Sequence, residues 1–353
     1  MNTFGRKFRV SIFGESHGDA LGVVLDGVQP GLPLDIEDFT QDILRRKSGP
    51  KGTTPRIEAD VPELVSGVYN GFTTGAPLTI VFHNRNTRSG DYALFNAVPR
   101  PGHADYTAGI KWMDFNDPRG GGHFSGRLTL ALVAAGVVAK KMVAARIHAE
   151  LIEVGGVTKD QALREEALPD GGIEEKDELK PSDIWRSVLD KAMAELDSVG
   201  GVVECRADGI PAGLGEPFFD SVESLISHAV FAIPGVRGIE FGDGFQAARM
   251  RGSEHNDPFD KIVEGGFHKD AIPSKNGAGG VNGGITNGNP LVFRVAFKPT
   301  SSIGRGQETF NFATGKMTTL QIPGRHDCCF ALRTPVVVEA VTAIVLADLT
   351  RLL

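Results

Sequence analysis

Apolar positions along the chain follow two different periods. Runs rich in Val, Ile, Leu and Phe, bounded by Gly, Pro or Asn, predict strands over 8–13, 21–28, 64–69, 77–82, 151–157, 201–207, 236–241 and 290–297. Helical spacing intervenes between some of them. Ile36, Phe39 and Ile43 share one face of a helix expected over 36–47, with Asp35 as its N-cap and Glu37 and Asp38 in the first turn. Ser125 heads a long helix expected from 126 to about 150, and its first half, LTLALVAAGVVA, is apolar nearly all round. Such a helix belongs between two layers. Shorter amphipathic helices are expected over 182–196 and 221–231, and Thr334 and Pro335 open a C-terminal helix as N-cap and first helical residue. Strands and helices mix without strict βαβ alternation, so the expected class is α+β, with antiparallel sheets around central helices.

Composition narrows the functional classes. The chain has 353 residues, enough for one large domain or two ordinary ones, and no low-complexity linker divides it. The acidic stretch over 158–183 reads as an exposed excursion. Asp and Glu outnumber Lys and Arg 44 to 37, for a formal charge of -7, which argues against nucleic acid or an anionic membrane as the main partner. An anionic substrate would then need a local cluster of basic side chains. Three cysteines, Cys205, Cys328 and Cys329, show neither metal-ligand spacing nor a disulfide framework, which points to a reducing compartment. The N-terminus lacks the apolar core of a signal peptide and no window is long and apolar enough to span a membrane, so the cytoplasm is expected.

Glycine is abundant, 45 residues, with clusters at 120–123 and 276–289. Such clusters let backbone approach a ligand closely, although for any single cluster a tight turn is the simpler reading. The pentapeptide GESHG at 14–18 matches G-x-S-x-G, the nucleophile elbow of serine hydrolases. An elbow needs a following helix; here GDALGVVLDGV follows, a strand pattern. Ser16 is therefore not expected to be a nucleophile. His17, at a strand end in a glycine-bounded turn, is the better candidate, though alone it reads as an ordinary turn histidine.

Histidine and arginine carry the remaining chemistry. His17, His103 (in RPGHAD) and His326 (in GRHDCC) lack the paired spacing of metal ligands, which favours proton transfer over metal binding. Arg45, Arg46, Lys47, Lys51 and Arg56 crowd RRKSGPKGTTPR, more charge than a helix C-terminus alone accounts for. Arg100, Arg119, Arg127 and Arg325 add planar forks suited to carboxylate and phosphate. The loop PRGGGHFSGR precedes a helix start, where free N–H groups favour an anion, but it lacks the GK[ST] ending of a nucleotide-binding P-loop. KPTSS at 298–302 is a second group suited to phosphate. These features describe a site for a multiply anionic small molecule with histidine acid/base groups.

The motifs GESHG, RPGHADYT, RGGG, GIPAGLGEP, NGGITNG, FKPTSSI and GRHD, in this order from about Phe8 to the C-terminal helix, resemble those of chorismate synthases. The resemblance implies a single domain over 1–353, an α+β fold built as a β-α-β layered sandwich with central long helices and antiparallel sheets, and a homotetramer. It implies a carbon–oxygen lyase: 1,4-anti elimination of phosphate from 5-enolpyruvylshikimate 3-phosphate to give chorismate, in the shikimate pathway of aromatic amino acid biosynthesis. Reduced FMN is required without net redox change, and NADPH enters only as a source of reducing power. The implied catalytic residues are His17, His103 and Asp327. Substrate anions would meet Arg45, Arg46, Lys51, Arg100, Arg127 and Arg325. FMN would meet His123, Phe124, Ser125, Pro234, Gly235, Gly283, Lys298, Pro299, Thr300, Ser301, Ser302 and Arg325, and no metal is implied.

Three positions depart from the family pattern. His123-Phe124-Ser125-Gly126-Arg127 stands for RSSAR, Lys51 for an arginine, and His326-Asp327-Cys328-Cys329 for HDPC. A competing reading is a flavin or NADPH oxidoreductase acting on an anionic small molecule. It lacks support from any G-x-G-x-x-G placed after a strand with an acidic partner.

Overall fold

The computed structural model describes residues 1–352 apart from 55–57, 86–93, 167–180, 260–270 and 323–325. The fold is α+β, with two antiparallel sheets enclosing a helical layer. In the first sheet the strand order is Thr3–Phe4, Arg9–Gly14, Ala20–Asp26, Leu78–His83, Glu63–Ser66. In the second it is Val236–Phe241, Leu291–Phe297, Gly201–Asp208, Arg146–Val154, Val157–Thr158.

Between them lie the helices Thr129–Lys140 and Pro335–Thr350, packed on each other. The first touches the strand Ala20–Asp26, and the second touches Arg146–Val154 and Gly201–Asp208. Both are buried on nearly every side, as an all-round apolar sequence requires. At Gly136 they approach closely: a Cβ there would stand 2.3 Å from Ala340 Cβ. The strand Leu291–Phe297 alternates, with Leu291, Phe293, Val295 and Phe297 buried.

Several sequence expectations needed correction. The helix from 126 to about 150 is a 3-10 turn at Gly126–Leu128 and a helix ending at Lys140, and Arg146–Val154 is a strand. Alternation in RIHAELIEV, with Ala149, Leu151 and Val154 buried, outweighed the run of helix-tolerant residues before it. The helix over 36–47 is a 3-10 turn Glu37–Phe39 followed by Thr40–Arg46, with Asp35 Oδ1 accepting from the Glu37 amide at 3.0 Å. Strand 64–69 splits at Gly67, where φ is +84°. Thr334 precedes Pro335, but its hydroxyl donates to Ala331 O instead of capping the helix. Ser125 and Ser221 do cap, accepting from the amides of Arg127 and Ser224.

Candidate active site

A cavity of about 400 Å³ collects segments that are far apart in sequence, within the size range of small-molecule sites. It takes Ser16 from the turn between the strands Arg9–Gly14 and Ala20–Asp26, Arg46 from a helix end, the turn at Gly102–Ala104, the glycine loop and helix start at Gly120 to Arg127, and the segments 298–302 and 326–333. Seven cationic side chains line it against three carboxylates, so the site is electropositive in a chain of net charge -7. That sign selects anions.

GESHG is the turn of a β-hairpin: Gly14 pairs with Leu21 and the next element is the strand Ala20–Asp26. The strand-turn-helix of a hydrolase elbow is absent at this motif. The turn lies against the glycine loop, with the Ser16 amide donating to Gly122 O at 3.1 Å. Gly120, at φ +62°, is the point of closest approach: a Cβ there would stand 2.7 Å from His17 Nε2 and 2.8 Å from Ser16 Oγ. One residue on, a Cβ on Gly121 would lie 3.4 Å from His103 Nε2. Both histidines therefore press on one loop that has no side chains to keep them away.

Asp105 orients His103. His103 Nδ1 lies 2.6 Å from Asp105 Oδ1, and Arg100 binds the same carboxylate through Nε and Nη2, each at 2.7 Å. Arg100 Nη2 also lies 3.1 Å from Nδ1, but it already has the carboxylate as acceptor. An ionised carboxylate only accepts, so Nδ1 carries the proton and Nε2 is the nitrogen left for proton exchange. Burial pushes the His103 pKa below the ordinary 6.5, opposed by Asp105 and reinforced by repulsion from Arg100 and Lys298. For Asp105, burial alone would raise the pKa, yet hydrogen bonds from Arg100 and His103 hold it well below the carboxylate range.

Asp60 plays a similar part for two arginines. Its Oδ2 accepts from Arg46 and its Oδ1 from Arg127, both at 2.9 Å, with all three side chains buried. One carboxylate shared by two guanidiniums leaves positive charge in excess, and burial brings the Arg46 pKa down to about 10 despite Asp60. Arg46 Nε, Arg127 Nη2 and Ser16 Oγ have no hydrogen-bond partner among the described residues. Unsatisfied buried donors cost roughly 1–3 kcal/mol each, a cost that anionic ligand oxygens would relieve. On the C-terminal side, Asp327 accepts from the Thr54 amide at 2.9 Å and from Arg333 at 2.7 Å.

The profile of chorismate synthase matches residues 8–350. The chain is 55% identical over 350 residues to the chorismate synthase of Chitinophaga pinensis, spanning 99% of this chain and 96% of that one. It is 46% identical over 362 residues to a chorismate synthase of Dehalococcoides mccartyi, again spanning 99% and 96%. The chain belongs to the chorismate synthase family. These are lyases. A crystal structure of chorismate synthase superposes with a TM-score of 0.71 at 28% identity, covering 98% of this chain and 92% of that one, which agrees with the α+β layers described above.

Of the residues that the family motifs single out, His103, Asp327, Arg46, Arg100, Arg127, Phe124, Ser125, Pro234, Gly235 and Lys298 to Ser302 line the cavity. His17 is buried directly behind Gly120. Other positions lie elsewhere. Arg45 points to the helical layer, where Glu339 binds it at 2.6 and 2.7 Å. Lys51 is half exposed and ion-paired with Asp190. His123 lies with Nδ1 2.7 Å from Gly14 O, and Gly283 is in the turn between Val281–Asn282 and Ile285–Thr286. Arg325 and Arg56 lie outside the described residues. Cys329, after Asp327, is buried and its thiol is pushed up to about 12, so it packs without reacting.

Asp60, Asp105, Arg237 and Arg333 were not among the sequence candidates. Only Asp105 carried a signal, its place two residues after His103. The surfaces of Phe124, Phe330, Pro234 and Pro299 offer apolar walls, and Lys298 with the hydroxyls of Thr300 and Ser301 offers a polar end. Thr300 Oγ1, buried with no hydrogen-bond partner among the described residues, adds an open hydrogen-bonding position there. A planar ring with an anionic tail, such as FMN, suits that combination.

Proposed function

We propose that the protein converts 5-enolpyruvylshikimate 3-phosphate to chorismate and phosphate by 1,4-anti elimination, with reduced FMN bound in the cavity. The observation that carries this reading is the pairing of a dense cationic lining with a histidine whose tautomer a buried carboxylate fixes. The substrate brings a phosphate and two carboxylates, so the surplus charge around Asp60 has something to neutralise. Phe124, Pro234, Gly235 and the segment Lys298 to Ser302 would hold the flavin. The chemistry that reduced FMN supplies when bound is electron density and a proton-accepting nitrogen beside the substrate ring.

The chain's own residues prepare the rest. Arg46 and Arg127, fixed by Asp60, orient the substrate anions through their free N–H groups. In the empty site His103 is neutral near pH 7; an arriving phosphate dianion raises its pKa, and Nε2–H then assists the departing phosphate. A C–H and a C–O bond break, a C=C bond forms, and the ring proton and phosphate are the other products. His17, shielded behind Gly120, supplies a proton on the flavin side. Asp327, held in place by hydrogen bonds from Arg333 and the Thr54 amide, steers the removal of the ring proton.

Arg45 has no place in this scheme, since Glu339 holds it elsewhere. The same reading includes assembly as a homotetramer in the cytoplasm. NADPH is at most the source of electrons for the flavin. The deciding assay is anaerobic phosphate release from 5-enolpyruvylshikimate 3-phosphate with and without reduced FMN. Release that requires the flavin, and is lost in His103→Ala, is the expected result; no release with both ligands present refutes the reading.

A further inference from the structure

The strand Leu78–His83 pairs with Ala20–Asp26 so that His83 stands opposite Ala20. One residue further, the backbone of Asn84 donates to Asp19 O at 3.0 Å, which brings its side chain beside the GESHG turn. Asn84 Nδ2 donates to Glu15 O at 3.1 Å and to Gly18 O at 2.8 Å, the carbonyls on either side of Ser16 and His17. Its Oδ1 accepts from Arg127 Nε at 2.6 Å. These partners fix the orientation of the amide: the two carbonyls only accept and the guanidinium only donates, so a flipped amide would lose all three bonds.

On its other flank the same turn is held by the glycine loop. The Ser16 amide donates to Gly122 O at 3.1 Å, and His123 donates from Nδ1 to Gly14 O at 2.7 Å. The turn is thus pinned at Gly14 and Ser16 from one side and at Glu15, Gly18 and Asp19 from the other, with His17 between the pins. Arg127 is fixed in a comparable way. Its Nε goes to Asn84, its Nη1 to Asp60 Oδ1 at 2.9 Å, and its Nη2 is buried with no hydrogen-bond partner among the described residues. A guanidinium is planar, so two fixed nitrogens determine where the third points. Asn84 does this without adding charge: a carboxylate in its place would give Arg127 a second anion and set its oxygens against two carbonyl oxygens.

We propose that Asn84 is a positioning residue for two parts of the site at once, holding the turn that carries His17 and the plane in which Arg127 offers Nη2 to a substrate anion. The inference rests on the reading above and adds to it a residue that does not itself line the cavity. Asn84→Leu, which removes all three side-chain bonds at similar size, is the first test variant. Asn84→Asp is the second: it keeps an acceptor for Arg127 and loses both donors to the turn.

Equilibrium binding of 5-enolpyruvylshikimate 3-phosphate, without flavin or turnover, should weaken about tenfold or more in both variants. The kcat for phosphate release at saturating substrate should fall by about tenfold or more as well. Histidine ring NMR separates positioning from general damage. The His17 signals, identified by their loss in His17→Gln, should move in both variants, while those of His228 on the helix Val222–Val230 stay in place. Paired variants test the route: Asn84→Leu should no longer weaken binding in an Arg127→Gln background, nor lower kcat in a His17→Gln background. The aspartate variant carries the same comparisons if Asn84→Leu fails to fold. Full-size losses in both backgrounds, or wild-type binding, kcat and His17 signals in the single variants, overturn the proposal. Failure of the reading itself is separate: wild-type protein then releases no phosphate, while the His17 signals still report whether Asn84 holds the turn.

Discussion

His103 Nδ1 and Asp105 Oδ1 stand 2.6 Å apart, and the same carboxylate receives Arg100 through two of its side-chain nitrogens. Asp105 thereby sets which ring nitrogen faces the glycine loop and also balances the arginine that would otherwise repel a protonated His103. Asp105→Asn keeps the shape but can present N–H to Nδ1, which selects the other tautomer. We expect kcat to fall by about 100-fold or more, within the range of positioned acid/base groups. The alkaline limb of the pH profile should also move to lower pH, because the protonated ring is the working form and the contact that raises the His103 pKa is lost. Asp105→Glu should recover part of the rate, and an unchanged profile in Asp105→Asn would argue against the positioning role.

His103 also links stability to pH. Its folded pKa lies below the unfolded value of 6.5, so the folded protein binds fewer protons than the unfolded chain in the interval between the two. The associated stability is fully present above pH 6.5 and is lost as the pH falls through the folded pKa. Asp105 is depressed too, but its share is lost only well below pH 4. Melting temperatures measured from pH 7.5 to 5 should fall in the wild type and fall less in His103→Gln. Equal slopes would count against a depressed His103.

Arg45 and Asp60 separate structural from ligand-facing charge. Arg45→Leu removes one partner of buried Glu339, which keeps Lys140 and the Ala149 amide at 2.9 Å each. Stability measured by urea unfolding should drop by about 1–3 kcal/mol with KM unchanged. Asp60→Ala strands two buried guanidiniums, for which about 3–5 kcal/mol is expected, together with a raised KM. A raised KM in Arg45→Leu would reinstate it at the site.

Gly120→Ala tests the contact between the glycine loop and the GESHG turn. Its Cβ would stand 2.5 Å from His17 Cδ2 at φ +62°, so the ring or the loop must move. Turnover should fall at least about tenfold, consistent with displaced catalytic groups. Ser16→Ala leaves the loop in place and should retain substantial turnover, whereas His17→Ala should lose most of it. The reverse order would return the serine to the centre of the chemistry.

Much of this was readable from local pattern. Alternation located the strands Arg9–Gly14, Val236–Phe241 and Leu291–Phe297, and an apolar circumference predicted that LTLALVAAGVVA lies between layers. The strand pattern after GESHG already argued against a hydrolase elbow, because a motif's meaning depends on the element that follows it. The order of the motifs led to the family. What sequence determined, then, was most of the elements, with the strand Arg146–Val154 as the main exception, and the chemical types near the site, since both follow from interactions a few residues long.

Tertiary structure decided which of those side chains work together. Arg45 and Arg46 are adjacent and chemically identical, yet about 100° of helix rotation sends one to Glu339 and the other to Asp60 and the cavity. Asp60 joins arginines at 46 and 127, and Arg237 becomes a cavity residue only through the one-residue bulge between Val236 and Gly238. Local sequence does not encode such partners, because a charge's role is set by the burial and the neighbours that packing brings to it from distant parts of the chain.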